Sequence, residues 1–311
     1  MMHSAPSAEL VFDVASALSR GARDYQEDAL ATDFAQGGPL GFVVLSDGMG
    51  GHAAGDIASK IVVTEVFSEL KFQSGDINAL RVELHDILNE AILSANECLK
   101  AHTRSNPQTS GMGATVLAPV FLDREMFWIS VGDSPLYLFR RGELTQLNED
   151  HSLAPQIDFM VNAGLMSEET GRDHPDRNCL TSVLFGKNIE RIDCPEAPLD
   201  LMHDDIIIAA SDGLQTLSDE ELADLLTQVQ DQTGDVIASA LMNEISVIDD
   251  PLQDNVSVCV IKVTDCAIRS GRVTTRPVRQ KSAQIVPLPT RKKDVEELAS
   301  EARELLGRTE P

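Results

Sequence analysis

Two segments of similar pattern, GFVVLSDGMGGH at 41–52 and DIIIAASDGL at 205–214, decide the fold of this chain. Each is a run of apolar residues, typical of a buried strand, that leads directly into an Asp-Gly step. A strand end holds a carboxylate rigidly, and the glycine lets the backbone turn and expose its own carbonyl. A third acidic residue, Asp254, opens the apolar stretch DNVSVCVIKV at 254–263. A single Asp-Gly indicates only a hairpin turn, but three carboxylates at strand ends are the oxygen ligands that hard cations prefer.

Length and composition indicate a globular protein with a sizeable core. The chain has 311 residues, of which 42% are hydrophobic. Its apolar runs are all shorter than the ~18–20 residues that span a bilayer. The N-terminal residues lack a basic segment followed by an apolar one, so we expect no secretion signal. The five cysteines are scattered without a C-x-x-C pair, as expected for reduced thiols. We therefore predict a cytoplasmic protein without a membrane span.

The charge of the chain is acidic and unevenly distributed. The formal net charge is −25 at pH 7, yet residues 268–293 contain basic residues and no acidic one. The remainder is therefore even more acidic than the total indicates. Such a body repels nucleic acid, so we expect no nucleic-acid partner.

The pattern of apolar runs predicts an α+β fold, because series of strands alternate with paired helices. The predicted strands cover 12–18, 41–46, 114–122, 126–131, 136–140, 144–147, 206–210 and 256–263. The predicted helices cover about 55–71, 77–104, 219–228 and 234–244. This order favours a core of two sheets with helices outside.

Six motifs, in a fixed order along the chain, carry a resemblance to a known family. They are RGARDYQEDA at 20–29, LSDGMGGHAAGDIAS at 45–59, SGMGATVLAPVF at 110–121, WISVGDSPLYLFRRGELTQLNEDHS at 128–152, IAASDGLQTLSDEEL at 208–222 and DNVSVCVIKV at 254–263. From Phe12 to Thr264 the chain resembles the bacterial type-2C (PPM-type) metal-dependent protein serine/threonine phosphatases. The resemblance implies a central β-sandwich of two antiparallel sheets flanked by antiparallel helix pairs, a four-layer αββα arrangement.

The resemblance also implies a site for two metal ions held by oxygen ligands. Asp47 would bridge the two ions, and Gly48 would add its backbone carbonyl. Asp212 and Asp254 would complete one metal site, while the Glu27-Asp28 pair would serve the other, directly or through water. An all-oxygen ligand set favours Mn²⁺ or Mg²⁺ over Zn²⁺. Two such ions activate a bridging water for attack on a phosphoryl group.

Two further catalytic roles follow from the resemblance. Arg23 matches the phosphate-binding arginine of the family, and its planar guanidinium can contact two phosphate oxygens. The alternatives are Arg20 in this role, or Arg23 as a simple surface charge. The general acid is harder to place, because Met49 stands where eukaryotic relatives have a histidine. His52 is the candidate general acid, and His151 is the other histidine near the motifs. For either one the alternative is a structural hydrogen-bonding role, with a metal-bound water protonating the leaving group.

Two positions depart from the family's pattern. Asp133 lies at a predicted strand end, but Pro135 stands where the family continues with Arg, so we interpret Asp133 as structural. Asn106 stands where many bacterial relatives have an aspartate that helps to hold a third ion together with the residue matching Asp212. A neutral amide oxygen is a weaker ligand than a carboxylate, so a third metal site at Asn106 should be weak.

The activity that the resemblance implies is hydrolysis of phosphoserine and phosphothreonine in proteins modified by a serine/threonine kinase. Residues 153–190 match the family's variable flap, which shapes substrate access. Small phosphoesters are an alternative substrate class, and a catalytically weak scaffold or regulatory binding module is an alternative function. The segment 98–105 also has the C-x5-R-[ST] spacing of cysteine-dependent phosphatases. It lies in a helical pattern without the glycines of a phosphate-binding loop, which argues against that chemistry.

The resemblance does not extend to the C-terminal tail. We divide the chain into a catalytic domain at 1–266, a basic linker at 267–293 and a short amphipathic helix at 294–307. The linker cannot bury enough apolar surface to fold alone. The tail is therefore either a disordered extension with a fraying helix or a tethered docking element. In the second case its basic arm binds the acidic body or an acidic partner, and its apolar stripe lies in a groove.

Overall fold

The computed structural model describes residues 10–35, 38–51 and 53–265, which fall in the first of two compact units, residues 1–271. The strands are β1 (Leu10–Ser19), β2 (Asp28–Phe34), β3 (Leu40–Met49), β4 (Gly113–Ala114), β5 (Val116–Leu122), β6 (Glu125–Val131), β7 (Leu136–Arg140), β8 (Glu143–Gln146), β9 (Leu199–Asp200), β10 (Ile206–Ala210) and β11 (Val256–Asp265). The helices are α1 (Ala53–Gln73), α2 (Ile77–Ser105), α3 (Ala154–Asn162), α4 (Glu168–Arg172), α5 (Asp219–Val229) and α6 (Gly234–Ile248). The predicted linker and C-terminal helix lie outside the described residues.

The strands form two antiparallel sheets. The first has the order β1-β11-β10-β7-β8, and the second has the order β2-β3-β5-β6-β9, with β4 pairing to β3. In the first sheet the N-terminal strand pairs with the C-terminal one along its whole length, with Leu10 opposite Asp265 and Ser19 opposite Val256.

Three apolar clusters hold four layers together. Because side chains alternate between the two faces of a strand, neighbouring residues of one strand enter different clusters. Val43 and Ile261 lie between the two sheets. Val44 contacts the cluster formed with α1 and α2, and Val260 contacts the one formed with α5 and α6. The predicted four-layer αββα sandwich is confirmed.

Strands β2 and β9 are absent from the sequence-based prediction. Strand β2 has the sequence DALATDF, without a continuous apolar run, and it follows the RGARDYQ loop directly. It lies at the edge of its sheet, where it pairs only with β3. An edge strand in which only the first residue, Asp28, is buried needs no such run, so its pattern is weak. The other predicted strands and the four predicted long helices are present. Among the described residues, none of the helices combines the length and hydrophobicity that a bilayer span requires.

Candidate functional site

Four aspartates meet at one end of the sandwich, and we call them the acid cluster: Asp28, Asp47, Asp212 and Asp254. Asp28 begins β2 and lies directly opposite Asp47, near the end of β3. Asp212 begins a short 3₁₀ helix after β10, and Asp254 lies two residues before β11. Burial, followed by repulsion from Asp212 and Asp28, raises the pKa of Asp47. The two sheets therefore contribute to one cluster of negative charge.

Ser211 joins the two sheets beside the acid cluster. Its hydroxyl donates to Asp28 Oδ2 over 2.8 Å and accepts from the Ser257 backbone N–H over 2.9 Å. Ser211 is fully buried, and Asp28 is only 4% exposed. This contact fixes the end of β10 against the beginning of β2, which keeps the carboxylates of both sheets close together.

The cluster is unfavourable for the protein alone. Burial raises the pKa of Asp28 to about 6, and burial together with the charge of Asp254 raises the pKa of Asp212 to about 6. Burial and like charges hold the pKa of Asp47 well above its usual value. Asp28 Oδ1 and Asp212 Oδ1 are buried, and neither oxygen has a hydrogen-bond partner among the described residues. Buried carboxylate oxygens of this kind are suited to a divalent cation, which neutralises their charge.

The acidic side chains are close but not arranged as a finished coordination shell. Within residues 10–35, 38–51 and 53–265, no three acidic, histidine or cysteine side chains surround one point as metal ligands do. The oxygen ligands fit Mn²⁺ or Mg²⁺. Because the shell is not formed, side-chain rotations must complete the coordination.

A second group of oxygens lies where β3 approaches α1. A Cβ atom on Gly55 would lie 2.2 Å from Glu27 Oε1 and 2.7 Å from the Gly48 carbonyl oxygen. These two oxygens share a small space that exists only because residue 55 has no side chain. The Glu27 backbone is fixed on both sides, since its carbonyl accepts from Gly48 N–H over 3.1 Å and its N–H donates to Asn255 Oδ1 over 2.7 Å. The structure thus brings Glu27 and Gly48 together, while their roles as metal ligands stay predictions.

Arg23 lies at the edge of the cluster and forms an ion pair with it. Its Nη2 atom is 2.5 Å from Asp254 Oδ2, and the two side chains are 52% and 37% exposed. Gly21, with φ of +58°, allows the close approach of this loop, because a Cβ there would lie 2.2 Å from the Asp254 carbonyl oxygen. Arg23, Asp212 and Asp254 all line a cleft of about 830 Å³. Arg23 therefore faces the space in which a substrate would bind.

Asp133 also belongs to this site, which the sequence interpretation as a structural residue did not anticipate. It lies two residues after β6, is 8% exposed and lines the same cleft. Burial, followed by the charges of Asp212 and Asp150, raises the pKa of Asp133 to about 8. The available signal was its position at a strand end, which it shares with Asp47. The Pro135 that follows hides this signal, because the family's pattern continues with Arg there.

The flap predicted at 153–190 borders the cleft. It contains α3 and α4 and otherwise irregular backbone. Pro155, Asp158 and Arg177 line the cleft from this side. Both terminal nitrogens of Arg177 contact the Asp158 carboxylate, at 2.7 and 2.9 Å, which ties the segment after α4 to α3.

Of the other residues singled out in the sequence, Asn106, His151 and Cys98 lie among the described residues. The Asn106 side chain donates to the His102 carbonyl over 3.0 Å at the end of α2, and it lines a separate groove between α1 and α2 with Cys98. The third metal site at Asn106 stays a prediction. His52 lies outside the described residues. His151 is fully buried, and burial lowers its pKa. Cys98 lies within α2, and burial raises the pKa of its thiol, which opposes the thiolate that a cysteine-dependent phosphatase requires.

Comparison with known proteins decides the family. Residues 16–245 match the family model described as protein phosphatase 2C. The chain belongs to the protein phosphatase 2C family. The serine/threonine phosphatase stp of Listeria welshimeri is 31% identical over 185 residues, which are 59% of this chain and 71% of that protein. The serine/threonine protein phosphatase PstP of Mycobacterium tuberculosis is 31% identical over 228 residues, which cover 72% of this chain but 40% of PstP.

Solved structures of this family have the same fold. The crystal structure of the Mycobacterium tuberculosis phosphatase PstP/Ppp superimposes with a TM-score of 0.66 at 29% identity, over 81% of this chain and 98% of that one. The PstP catalytic domain in complex with two manganese ions gives a TM-score of 0.64 at 29% identity, over 82% of this chain and all of that one.

Proposed function

We propose that the acid cluster hydrolyses phosphoserine and phosphothreonine in proteins with the help of two divalent cations, Mn²⁺ or Mg²⁺. The observation that carries this proposal is the meeting of carboxylates from both sheets, with buried oxygens that lack a hydrogen-bond partner among the described residues. The chain is a phosphoprotein phosphatase by its family and by its serine/threonine phosphatase relatives. The manganese ions in the PstP structure support the choice of metal.

The assignment of ligands follows the two groups of oxygens. Asp47 would be the ligand shared by the two ions, as the family resemblance implies, and after burial it is the charges of Asp212 and Asp28 that raise its pKa most. Asp212 and Asp254 complete the site on the side of β10 and β11. Glu27, Asp28 and the Gly48 carbonyl serve the other side, directly or through water. When bound, the ions supply an activated water and neutralise the phosphoryl oxygens.

Arg23 binds the phosphate in this proposal. Its guanidinium is half exposed and pairs with Asp254 at the edge of the cleft, so a phosphoryl group that enters the cleft can replace this carboxylate as its partner. A planar guanidinium offers two parallel donors to the phosphate oxygens, which orients the phosphorus towards the acid cluster. His52 stays the candidate for protonation of the leaving group.

The first experiment measures hydrolysis of an aryl phosphate and of a phosphothreonine peptide, with a chelator and after addition of Mn²⁺. We expect turnover of both only with the metal. Asp47→Asn should remove nearly all activity, whereas Asp224→Asn, on the exposed surface of α5, changes the net charge equally and should have no effect. Full turnover by the metal-stripped parent would contradict the two-metal site.

The same measurement separates the alternatives. A scaffold or regulatory module would bind Mn²⁺ without turnover of either substrate. A phosphatase for small phosphoesters would hydrolyse the aryl phosphate and leave the phosphopeptide intact. The identity of the kinase that supplies the substrate, and docking through the C-terminal tail, remain predictions. Removal of residues 268–311 tests the latter, because a docking element would change turnover of a protein substrate but not of the aryl phosphate.

A further inference from the structure

His151 contacts both the flap and the turn that carries Asp133. The Thr181 backbone N–H and hydroxyl donate to the His151 carbonyl over 2.7 and 2.9 Å. The His151 N–H donates to the Gly132 carbonyl over 3.1 Å, and the Gly132 N–H donates to His151 Nδ1 over 3.2 Å. His151 therefore joins the flap to the Gly132–Ser134 turn by four hydrogen bonds, and it has no exposed surface.

The imidazole of His151 serves as a hydrogen-bond acceptor in this position. Because the Gly132 N–H donates to Nδ1, the ring is neutral and carries its proton on Nε2. Burial lowers the pKa of His151, which agrees with the neutral form. The Nε2 atom is directed towards Glu149, with 3.7 Å between Nε2 and Oε2. A buried neutral ring of this kind cannot exchange protons with a substrate, but it can hold a backbone turn in place.

The turn is connected to the backbone of Asp47 through Thr115. Ser134 Oγ and Thr115 Oγ1 are 2.8 Å apart, and Thr115 Oγ1 accepts from the Asp47 N–H over 2.9 Å. Thr115 N–H also donates to the Asp47 carbonyl over 2.8 Å. Ser134 and Thr115 are 2% and 3% exposed, so water does not compete for these bonds.

Close packing limits the movement of this turn. Gly132 has φ of +113°, and a Cβ atom there would lie 2.5 Å from Thr115 Cγ2. The turn thus touches Thr115 directly, and a displacement of Gly132 displaces the residue that holds Asp47. Packed interiors transmit such shifts because they contain little free volume.

We propose that His151 is a positioning residue that couples the flap to the metal site through the Gly132–Ser134 turn and Thr115. The inference rests on the proposed function of Asp47 as a metal ligand. Thermodynamic linkage requires the coupling to act in both directions, so metal binding at Asp47 also stabilises the flap contact at Thr181.

Three substitutions of His151 separate the effect of losing the hydrogen-bond acceptor from the effect of losing the volume of the ring. In His151→Asn the amide oxygen lies near the position of Nδ1 and can accept from Gly132. In His151→Gln the amide is one bond farther out, near the position of Nε2, and His151→Leu has no acceptor. The Asn variant is therefore the matched control, and comparison of Asn with Gln remains informative if the Leu variant does not fold.

The readouts are Mn²⁺ binding by calorimetry and amide hydrogen exchange of the segments 128–136 and 178–184, with and without Mn²⁺. We expect the Mn²⁺ dissociation constant to rise about tenfold in the Gln and Leu variants, the loss expected when a buried N–H is left without its acceptor. Exchange at Gly132 should be faster in both variants, and Mn²⁺ should no longer protect the flap segment. The Asn variant should behave like the parent.

A double-mutant cycle with Thr115→Val tests the connection to Asp47, because Val keeps the shape of Thr without its hydroxyl. Coupled residues give effects on Mn²⁺ binding that do not add, whereas independent residues give effects that do. Additive effects, or parent-like Mn²⁺ binding in the Gln variant, would overturn the proposal. A parent that binds no Mn²⁺ would instead refute the proposed function, so the two failures are distinguishable.

Discussion

The replacement of Asp28 by Asn tests whether the acid cluster opposes folding in the absence of metal. Burial raises the pKa of Asp28 from 3.8 to about 6, so the folded protein binds this proton more tightly than the unfolded chain does. For a group whose pKa is raised in the folded state, the stability loss is absent at low pH and complete above the folded pKa. Linkage then predicts that ionisation of Asp28 lowers the free energy of unfolding, relative to low pH, by about 1 kcal/mol at pH 4.5 and about 3 kcal/mol at pH 7.5.

Asn cannot ionise, so Asp28→Asn removes this pH-dependent loss. Its amide oxygen still accepts from Ser211, while its buried NH₂ introduces a penalty of about 1–3 kcal/mol that is the same at both pH values. Relative to the parent, the free energy of unfolding of the variant should therefore rise by about 2 kcal/mol from pH 4.5 to pH 7.5.

Urea unfolding in the presence of a chelator measures this difference. Asp224→Asn is the control, since it removes an exposed charge of the same sign. Addition of Mn²⁺ at pH 7.5 should stabilise the parent more than the variant, because the metal binds the folded state through this carboxylate. An Asp28→Asn protein whose stability follows that of the parent at both pH values would refute the reasoning.

Three further substitutions test individual residues of the site. Arg23→Ala should raise the KM for a phosphopeptide by about tenfold with a smaller change in kcat, because it removes a charged contact to the phosphate. Steady-state kinetics measures both values, and a decrease in kcat alone would contradict this role. Gly55→Ala should weaken Mn²⁺ binding in calorimetry, because its Cβ would lie 2.2 Å from Glu27 Oε1 and 2.7 Å from the Gly48 carbonyl oxygen; unchanged binding would show that Glu27 is not a ligand. Asn106→Asp should strengthen activation in a Mn²⁺ titration, and identical titration curves would reject the third site at this position.

The sequence predicted those parts of the site that depend on local pattern. Asp47 and Asp212 each follow a continuous apolar run, so their position at strand ends can be read from neighbouring residues. The strand-end pattern also grouped Asp254 with them, whereas the assembly with Asp28 was expected only through the family resemblance, because the register of two sheets is not encoded in any single motif. Their roles as metal ligands stay predictions.

The features that the sequence could not predict depend on contacts between distant segments. The ion pair between Arg23 and Asp254 joins residues 231 positions apart. Strand β2 was missed because pairing to β3, rather than its own composition, makes it a strand. Asp133 was set aside because a neighbouring residue departs from the family's pattern, whereas its burial near Asp212 depends on the packing of β6 against the rest of the sandwich.

The pairing of β1 with β11 determines when this enzyme can first work during its synthesis. Among the described residues, β1 is translated before the other strands but has to wait for β11, since β11 lies between β1 and β10 in the sheet. Asp254 is also translated only after strands β1 to β10. A nascent chain that still lacks β11 therefore has neither a continuous first sheet nor a complete acid cluster. We therefore expect dephosphorylation to begin only after β11 has been synthesised, and a chain that ends before β11 to have no partial activity.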